Sequence, residues 1–224
     1  MPIPKALEPT GVIFADKPAG PTSFAIVARV RARTGAKTGH AGTLDPFATG
    51  LLILLSGRAT SLQDRFMKLD KRYLTEIDLT ARTATGDPEG DVLETHDPPD
   101  GDTLTAVLES LHGAVELPIP VASAVKIDGE RAYRLHRKGV AVEMPTRVMR
   151  VHELVLVSYV DGIVALDLQV GSGTYVRSIA DALGGHCVRL RRTEIGPFSV
   201  EEADEERMVP LEEALPRLAV VRDA

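Results

Sequence analysis

The chain has 224 residues, a formal net charge of −6, one cysteine and no tryptophan. That length can bury the core of one large domain, the lone Cys187 excludes an internal disulfide, and six scattered His beside one Cys offer no zinc-ligand spacing, so no metal is expected. No apolar run approaches the roughly 20 residues of a membrane helix, and the N-terminal MPIPKALEPTG lacks the basic-then-apolar order of a signal peptide, which predicts a cytoplasmic protein with no membrane partner.

In chain order, GVIFAD (11–16) reads as a short strand, and Thr22 or Ser23 can cap an amphipathic helix that runs to about Arg33, with Gly35 just past its end. The apolar run 51–55 is short enough for a buried strand, and KRYLTEIDLTAR (71–82) alternates as a half-buried one. TLTAVLESLHG (103–113) predicts a helix with a glycine stop. Residues 118–145, bounded by Pro118, Pro120 and Pro145, carry five bases and three acids and read as an excursion from the sheet. Two strands follow, RVMRVHELVLVSYV and IVALDLQV, joined at Asp161-Gly162, a strong hairpin signal. TYVRSIADALG (174–184) is then a helix, and CVRLRRTEI a strand. Strands outnumber helices and hairpins recur, so the fold class is α+β with a mainly antiparallel sheet.

The charge is unevenly spread. Residues 87–102 hold seven acids and no base, residues 201–213 hold seven acids and one base, and the rest of the chain carries +7. Bases cluster at Arg29, Arg31, Arg33 and Lys37, at Lys126, Arg131, Arg134, Arg137 and Lys138, and at Arg177, Arg189, Arg191 and Arg192. Such clusters suit a phosphate-binding face; each also fits an ordinary solvated helix face.

The densest local specification is GHAGTLDPFATG (39–50), which places one Asp among three Gly, two Thr and a Pro ahead of the run LLILL. Pro46 keeps Asp45 out of the helical region, and the glycines permit tight turns and close approach of another molecule. An alternative is that Asp45 caps a helix starting at Pro46.

GHAGTLDPFATGLL resembles the signature of the bacterial tRNA pseudouridine-55 synthase (TruB) family. Further segments resemble that family in the same order: DKPAGPTS (16–23), KRY (71–73), RTATGDPEG (82–90), SAVKIDGERAY (123–133), GTYVRS (173–178) and LRRTEIGPF (190–198). The resemblance spans Gly11 to Phe198 and implies a pseudouridine-synthase fold, a mainly antiparallel mixed sheet flanked by helices, with the excursion as an inserted segment that clamps RNA. It implies that the chain isomerises uridine 55 in the T loop of tRNA, flipping the base and using one catalytic Asp, without cofactor. Its partner would be the T-arm stem-loop, met by a monomer that requires no protein partner.

The same resemblance assigns roles. Asp45 is the catalytic carboxylate; Arg177 pairs with it and holds it ionised; Tyr73 lies against the flipped base. Tyr175 shapes the pocket and Leu190 packs beneath it. His40 fills the space that the extruded base leaves, Lys17 and Pro18 support the active-site loop, and Lys126 and Arg131 contact phosphates. On the residues alone, Tyr73 and Tyr175 also fit half-buried packing, Arg177 a surface cation, Leu190 ordinary core, and His40 a ring bonded to its own turn. The chemistry agrees with a single carboxylate, since moving the glycosidic bond from N1 to C5 of one uracil involves neither hydrolysis nor net redox change. Two departures stand out: the connection 184–188 is shorter than is usual in the family, and the chain closes soon after VPLEEALPRL. The expected organisation is a catalytic domain over 1–200 and an acidic C-terminal extension over 201–224, with the full RNA-binding PUA domain absent. Rival readings are a non-catalytic tRNA-folding chaperone and a guide-RNA-type pseudouridine synthase acting on other RNA.

Overall fold

The computed structural model describes residues 9–218. The N-terminal segment read for a signal peptide, up to residue 8, and the last six residues of the acidic extension, 219–224, lie outside the described residues. The described chain divides into two compact units, the residues up to 72 with those from 191 onward, and residues 73–190.

In the first unit the run LLILL forms the middle of strand Thr49–Ser56, buried from Gly50 to Ser56. Alternate side chains serve two cores. Leu51, Ile53 and Leu55 pack with Val12, Phe14, Phe66 and Phe198, whereas Leu52 and Leu54 pack with Ile13, Ala15, Ile26, Val27 and Val30. A strand covered on both faces reads as continuously apolar rather than alternating. Strand Gly11–Lys17 pairs antiparallel with it and also with Asp204–Val209. The end of strand His186–Ile195 runs parallel to Thr49–Ser56, with Arg192 opposite Gly50. Helix Ser23–Thr34 supplies Ile26, Val27 and Val30; Thr22 caps it by accepting from the Ala25 amide at 3.1 Å, and Gly35 closes it at φ 66°.

Residues beyond 200 are woven into this unit. Helix Leu211–Arg217 buries Ala214 in the same core as Phe14 and Phe198. Their acids meet the bases of helix Ser23–Thr34, Arg29 with Glu205 at 2.5 Å and Arg33 with Glu206 at 2.7 Å. That part of the first basic cluster is therefore neutralised internally, although such exposed pairs stabilise little, about 0–1 kcal/mol each.

In the second unit the strands follow the order His186–Ile195, Lys71–Asp78, Ile163–Val170, Thr146–Val160, Gly113–Pro118. Asp161 at φ 51° and Gly162 at φ 80° close the hairpin between Thr146–Val160 and Ile163–Val170, with Val160 opposite Ile163, the paired positive φ of a type I′ turn. The fold class is α+β, with a mostly antiparallel mixed sheet flanked by helices. Two expected elements differ. The strand expected over 71–82 stops at Asp78, whose Oδ1 accepts from the amide and hydroxyl of Thr80 at 2.7 and 2.6 Å, and this turn sends Ala81–Thr83 to pair with Val92–Thr95 instead. The helix expected at 103 starts at Gly101, because Asp100 caps it by accepting from the Thr103 amide at 2.8 Å.

The excursion leaves and re-enters between neighbouring strands: Pro118 lies opposite Thr146, and the Ile119 amide donates to the Pro145 carbonyl at 3.0 Å. It contains a two-stranded hairpin, Lys126–Ile127 with Glu130–Arg131, turned at Asp128 (φ 48°) and Gly129 (φ 86°), and then helix Ala132–Arg137. Asp128-Gly129 is the same turn signal as Asp161-Gly162.

Gly50 sits at φ 104°, and a Cβ there would lie 2.2 Å from the Arg192 carbonyl oxygen. Gly50→Ala is therefore expected to destabilise the protein by roughly 3 kcal/mol or more, or to abolish folding, in a denaturant titration. Gly39→Ala, where a Cβ meets nothing within 4 Å, serves as the control, with an expected change within about 1 kcal/mol.

Candidate active site

Asp45 does not cap a helix. The Ala48 amide donates to its carbonyl at 3.2 Å, closing a turn with Pro46 at the second position, and the chain passes directly into strand Thr49–Ser56. Each residue from 42 to 46 has a backbone group held. Arg192, 1% exposed, donates from Nε to the Leu51 carbonyl at 2.8 Å and from its terminal nitrogens to Gly42 at 3.1 Å and Thr43 at 3.4 Å. The Ser23 hydroxyl accepts from the Leu44 amide at 2.8 Å and donates to the Leu44 carbonyl at 2.9 Å. The Pro46 carbonyl accepts from the Gly20 amide at 2.8 Å and from Nζ of fully buried Lys17 at 3.1 Å; Nζ also donates to the Pro18 carbonyl at 2.8 Å. Two buried cations and one hydroxyl thus fix the backbone on both sides of Asp45, as a positioned catalytic group requires.

His40 ends strand Thr38–His40, and its carbonyl accepts from Gln63 Nε2 at 2.9 Å. Its ring Nδ1 is buried with no hydrogen-bond partner among the described residues, so that nitrogen is not tied to the neighbouring turn. Burial, and then the charge of Arg192, lower its pKa, which keeps the ring neutral at pH 7. Because the folded state binds this proton less readily than the unfolded chain, the stability linked to His40 is present above its ordinary value of about 6.5 and is lost as the pH falls below it.

The second unit holds the other candidates. Tyr73 is buried in strand Lys71–Asp78 and Leu190 in strand His186–Ile195. Half-buried Tyr175 immediately precedes helix Val176–Ala182, with the Arg147 guanidinium 6.0 Å from its ring centroid. Arg177 is 4% exposed, which removes the surface-cation alternative. It lies 3.3 Å from Asp87 Oδ2 and donates to the carbonyls of Thr85 at 2.8 Å and Ala122 at 2.9 Å. Asp87 Oδ1 in turn accepts from the Thr85 hydroxyl at 2.6 Å and the Glu89 amide at 3.1 Å. Lys126 and Arg131 stand directly opposite each other in the excursion hairpin, and Arg131 also donates to the Ala124 carbonyl. Like charges paired across strands repel, an arrangement that a polyanion relieves. The short connection 184–188 is made by Gly184 and Gly185, whose amides return to the Asp181 and Ala180 carbonyls.

Sequence reasoning gave no role to Asp87 and placed Arg192 only in a basic cluster suited to a phosphate-binding or solvated face, which its burial contradicts; the two lie in segments quoted above, RTATGDPEG and LRRTEIGPF. Among the described residues no cluster of three or more His, Cys, Asp or Glu is arranged to hold a metal, and no helix is long and apolar enough to cross a membrane.

Residues 29–176 match the model of the TruB family pseudouridylate synthase (N terminal domain). The chain is 43% identical over 210 residues to the tRNA pseudouridine synthase B of Thermobifida fusca, covering 86% of this chain and 72% of that protein. Its identity to the tRNA pseudouridine synthase B of Mycobacterium sp. (strain KMS) is 42% over 207 residues, covering 86% and 69%. Among solved structures, a chain of a Cbf5-Nop10-Gar1 complex superposes with a TM-score of 0.65 at 26% identity over 92% of this chain and 54% of that one. A chain of an H/ACA RNP bound to a substrate RNA containing 2′-deoxyuridine shares the fold, with a TM-score of 0.62 at 24% identity over 92% and 52%. This chain thus spans about half the length of those solved chains. It belongs to the TruB family of pseudouridylate synthases, which are isomerases.

Asp87→Asn removes the charge facing a guanidinium that stays buried. A loss of roughly 3–5 kcal/mol in unfolding free energy is expected by denaturant titration. A loss under about 1 kcal/mol would mean that its other partners, the carbonyls of Thr85 and Ala122 among them, suffice to hold Arg177.

Proposed function

We propose that this member of the TruB family converts uridine 55 in the T loop of tRNA to pseudouridine, as a cytoplasmic monomer without cofactor. The observation that carries the reading is the identity of 43% across most of the chain to a protein named tRNA pseudouridine synthase B, against 26% to the chain of the Cbf5-Nop10-Gar1 complex. The immobilised turn at Asp45 supports it.

In this reading the Asp45 carboxylate attacks C1′ of the target nucleoside, or otherwise assists an oxocarbenium-like or glycal route, while uracil detaches at N1 and turns; C5 then takes the bond to C1′ as any Asp45–C1′ bond breaks, C5 gives up its proton and N1 gains one. A rigid turn suits that task, because the carboxylate must hold its place while the base moves. Tyr73 lies against the base and serves as a proton carrier. Arg177, oriented by Asp87 and two carbonyls, supplies fixed positive charge. Tyr175 and Leu190 bound the pocket. Extruding the uridine costs a few kcal/mol, and the neutral ring of His40 stacks in the space it leaves. Lys126 and Arg131 take RNA phosphates, which offsets their mutual repulsion and draws the excursion onto the stem. Lys17 and Pro18 belong to the support of the loop.

Incubation with unmodified tRNA and with an isolated T-arm hairpin, followed by nucleoside mapping, tests the reading. Pseudouridine is expected at position 55 in both, at similar rates, because every proposed contact is local to the arm. Pseudouridine at another position, or none, would contradict it; reaction of whole tRNA alone would contradict the local recognition.

A further inference from the structure

Seven serine and threonine hydroxyls belong to buried residues among those described. Six of them donate hydrogen bonds: Ser23, Ser56, Thr75, Thr83, Thr85 and Ser178. The seventh is Ser123. It is 5% exposed, and its Oγ has no hydrogen-bond partner among the described residues. Burying an unpaired hydroxyl is costly, which is why such groups are rare.

The backbone around this hydroxyl is fixed from both sides. The Ala122 carbonyl accepts from Arg177 at 2.9 Å, the Ser123 carbonyl from the Tyr133 amide at 3.0 Å, and the Val125 carbonyl from the Ala132 amide at 2.8 Å. Ser178, on the helix that carries Arg177, holds the start of the excursion by donating to the Pro118 carbonyl at 2.6 Å. Ser123 therefore follows directly on a carbonyl anchored by a guanidinium that is itself held by Asp87 and the Thr85 carbonyl. A loose loop does not explain the unpaired hydroxyl.

We propose that Ser123 is a substrate-positioning residue, its hydroxyl bonding O2 or O4 of the uracil or the 2′-hydroxyl of the ribose of the target uridine. The assignment rests on the proposed function, in which Arg177 borders the nucleotide. A hydroxyl held ready in this way acts on binding and placement of the nucleotide, and it takes no part in bond making or breaking. One hydrogen bond between neutral groups corresponds to roughly three- to tenfold in affinity.

The test compares wild type and Ser123→Ala for thermal midpoint, pseudouridine formation in the T-arm hairpin, and affinity for hairpins carrying uridine, 2′-deoxyuridine, 2-thiouridine or 4-thiouridine at the target position. The variant is expected to keep or slightly raise the midpoint, because it removes an unpaired buried polar group, and to lose roughly three- to tenfold in affinity for the uridine hairpin. That loss should shrink in the one arm whose altered oxygen is the partner, which separates ribose from uracil. Affinity and turnover equal to wild type would overturn the proposal. So would a lowered midpoint accompanying the loss of function, which marks a structural role, or an equal loss in all four arms, which moves the partner off the uridine. Should the wild type itself form no pseudouridine, the proposed function fails and this assignment with it; an active wild type beside an unimpaired variant defeats this assignment alone.

Discussion

The backbone from Gly42 to Pro46 is held by side chains that a folded protein places in its interior only at a cost. Lys17 and Arg192 are buried cations whose donors meet main-chain carbonyls at Pro18, Pro46, Gly42, Thr43 and Leu51. Desolvating a charge is expensive, and carbonyl dipoles recover part of that expense only when their geometry is fixed. The positions of Asp45, of the strand that follows it and of Gly50 beneath Arg192 all depend on this arrangement. The loop is irregular, yet it has little freedom.

Arg177 repeats the device in the second unit, with Asp87 as counter-ion and two carbonyls as further acceptors. Its contact with Ala122 ties the root of the excursion to helix Val176–Ala182, and Ser178 adds a second tie at Pro118. The excursion is thus firmly attached where it leaves the sheet. Its far hairpin, in contrast, carries Lys126 opposite Arg131. Repelling charge on a well-rooted hairpin suits an element that meets a polyanion.

Much of the fold was legible because its signals are local. The capping pair Thr22 and Gly35, the apolar run 51–55 and the Asp161-Gly162 turn each act within a few residues, and each element formed where such a signal stood. The break at Asp78 was less legible, since the alternation of 71–82 continues through it and only the side-chain bonds to Thr80 reveal the turn. At the site, the Asp45 motif stood out by its density of special residues. Asp87 and Arg192 did not, because their partners are distant in sequence: Arg177 for one, the carbonyls of Gly42, Thr43 and Leu51 for the other. An arginine in a basic run reads as a surface charge until a long-range contact shows it buried. The helix that Asp45-Pro46 allowed failed to form because residues 49–56 are claimed by the sheet.

The central claim is that the fixed turn exists to present one carboxylate. The most direct measurement is tritium release from C5-labelled uridine in tRNA by Asp45→Asn, with filter binding and thermal midpoint measured in parallel. Asn keeps the shape of Asp but cannot act as an anionic nucleophile, so turnover should fall by on the order of 10⁴-fold or more while tRNA affinity stays within about tenfold. Tritium release near the wild-type rate by a folded, tRNA-binding variant would contradict the account.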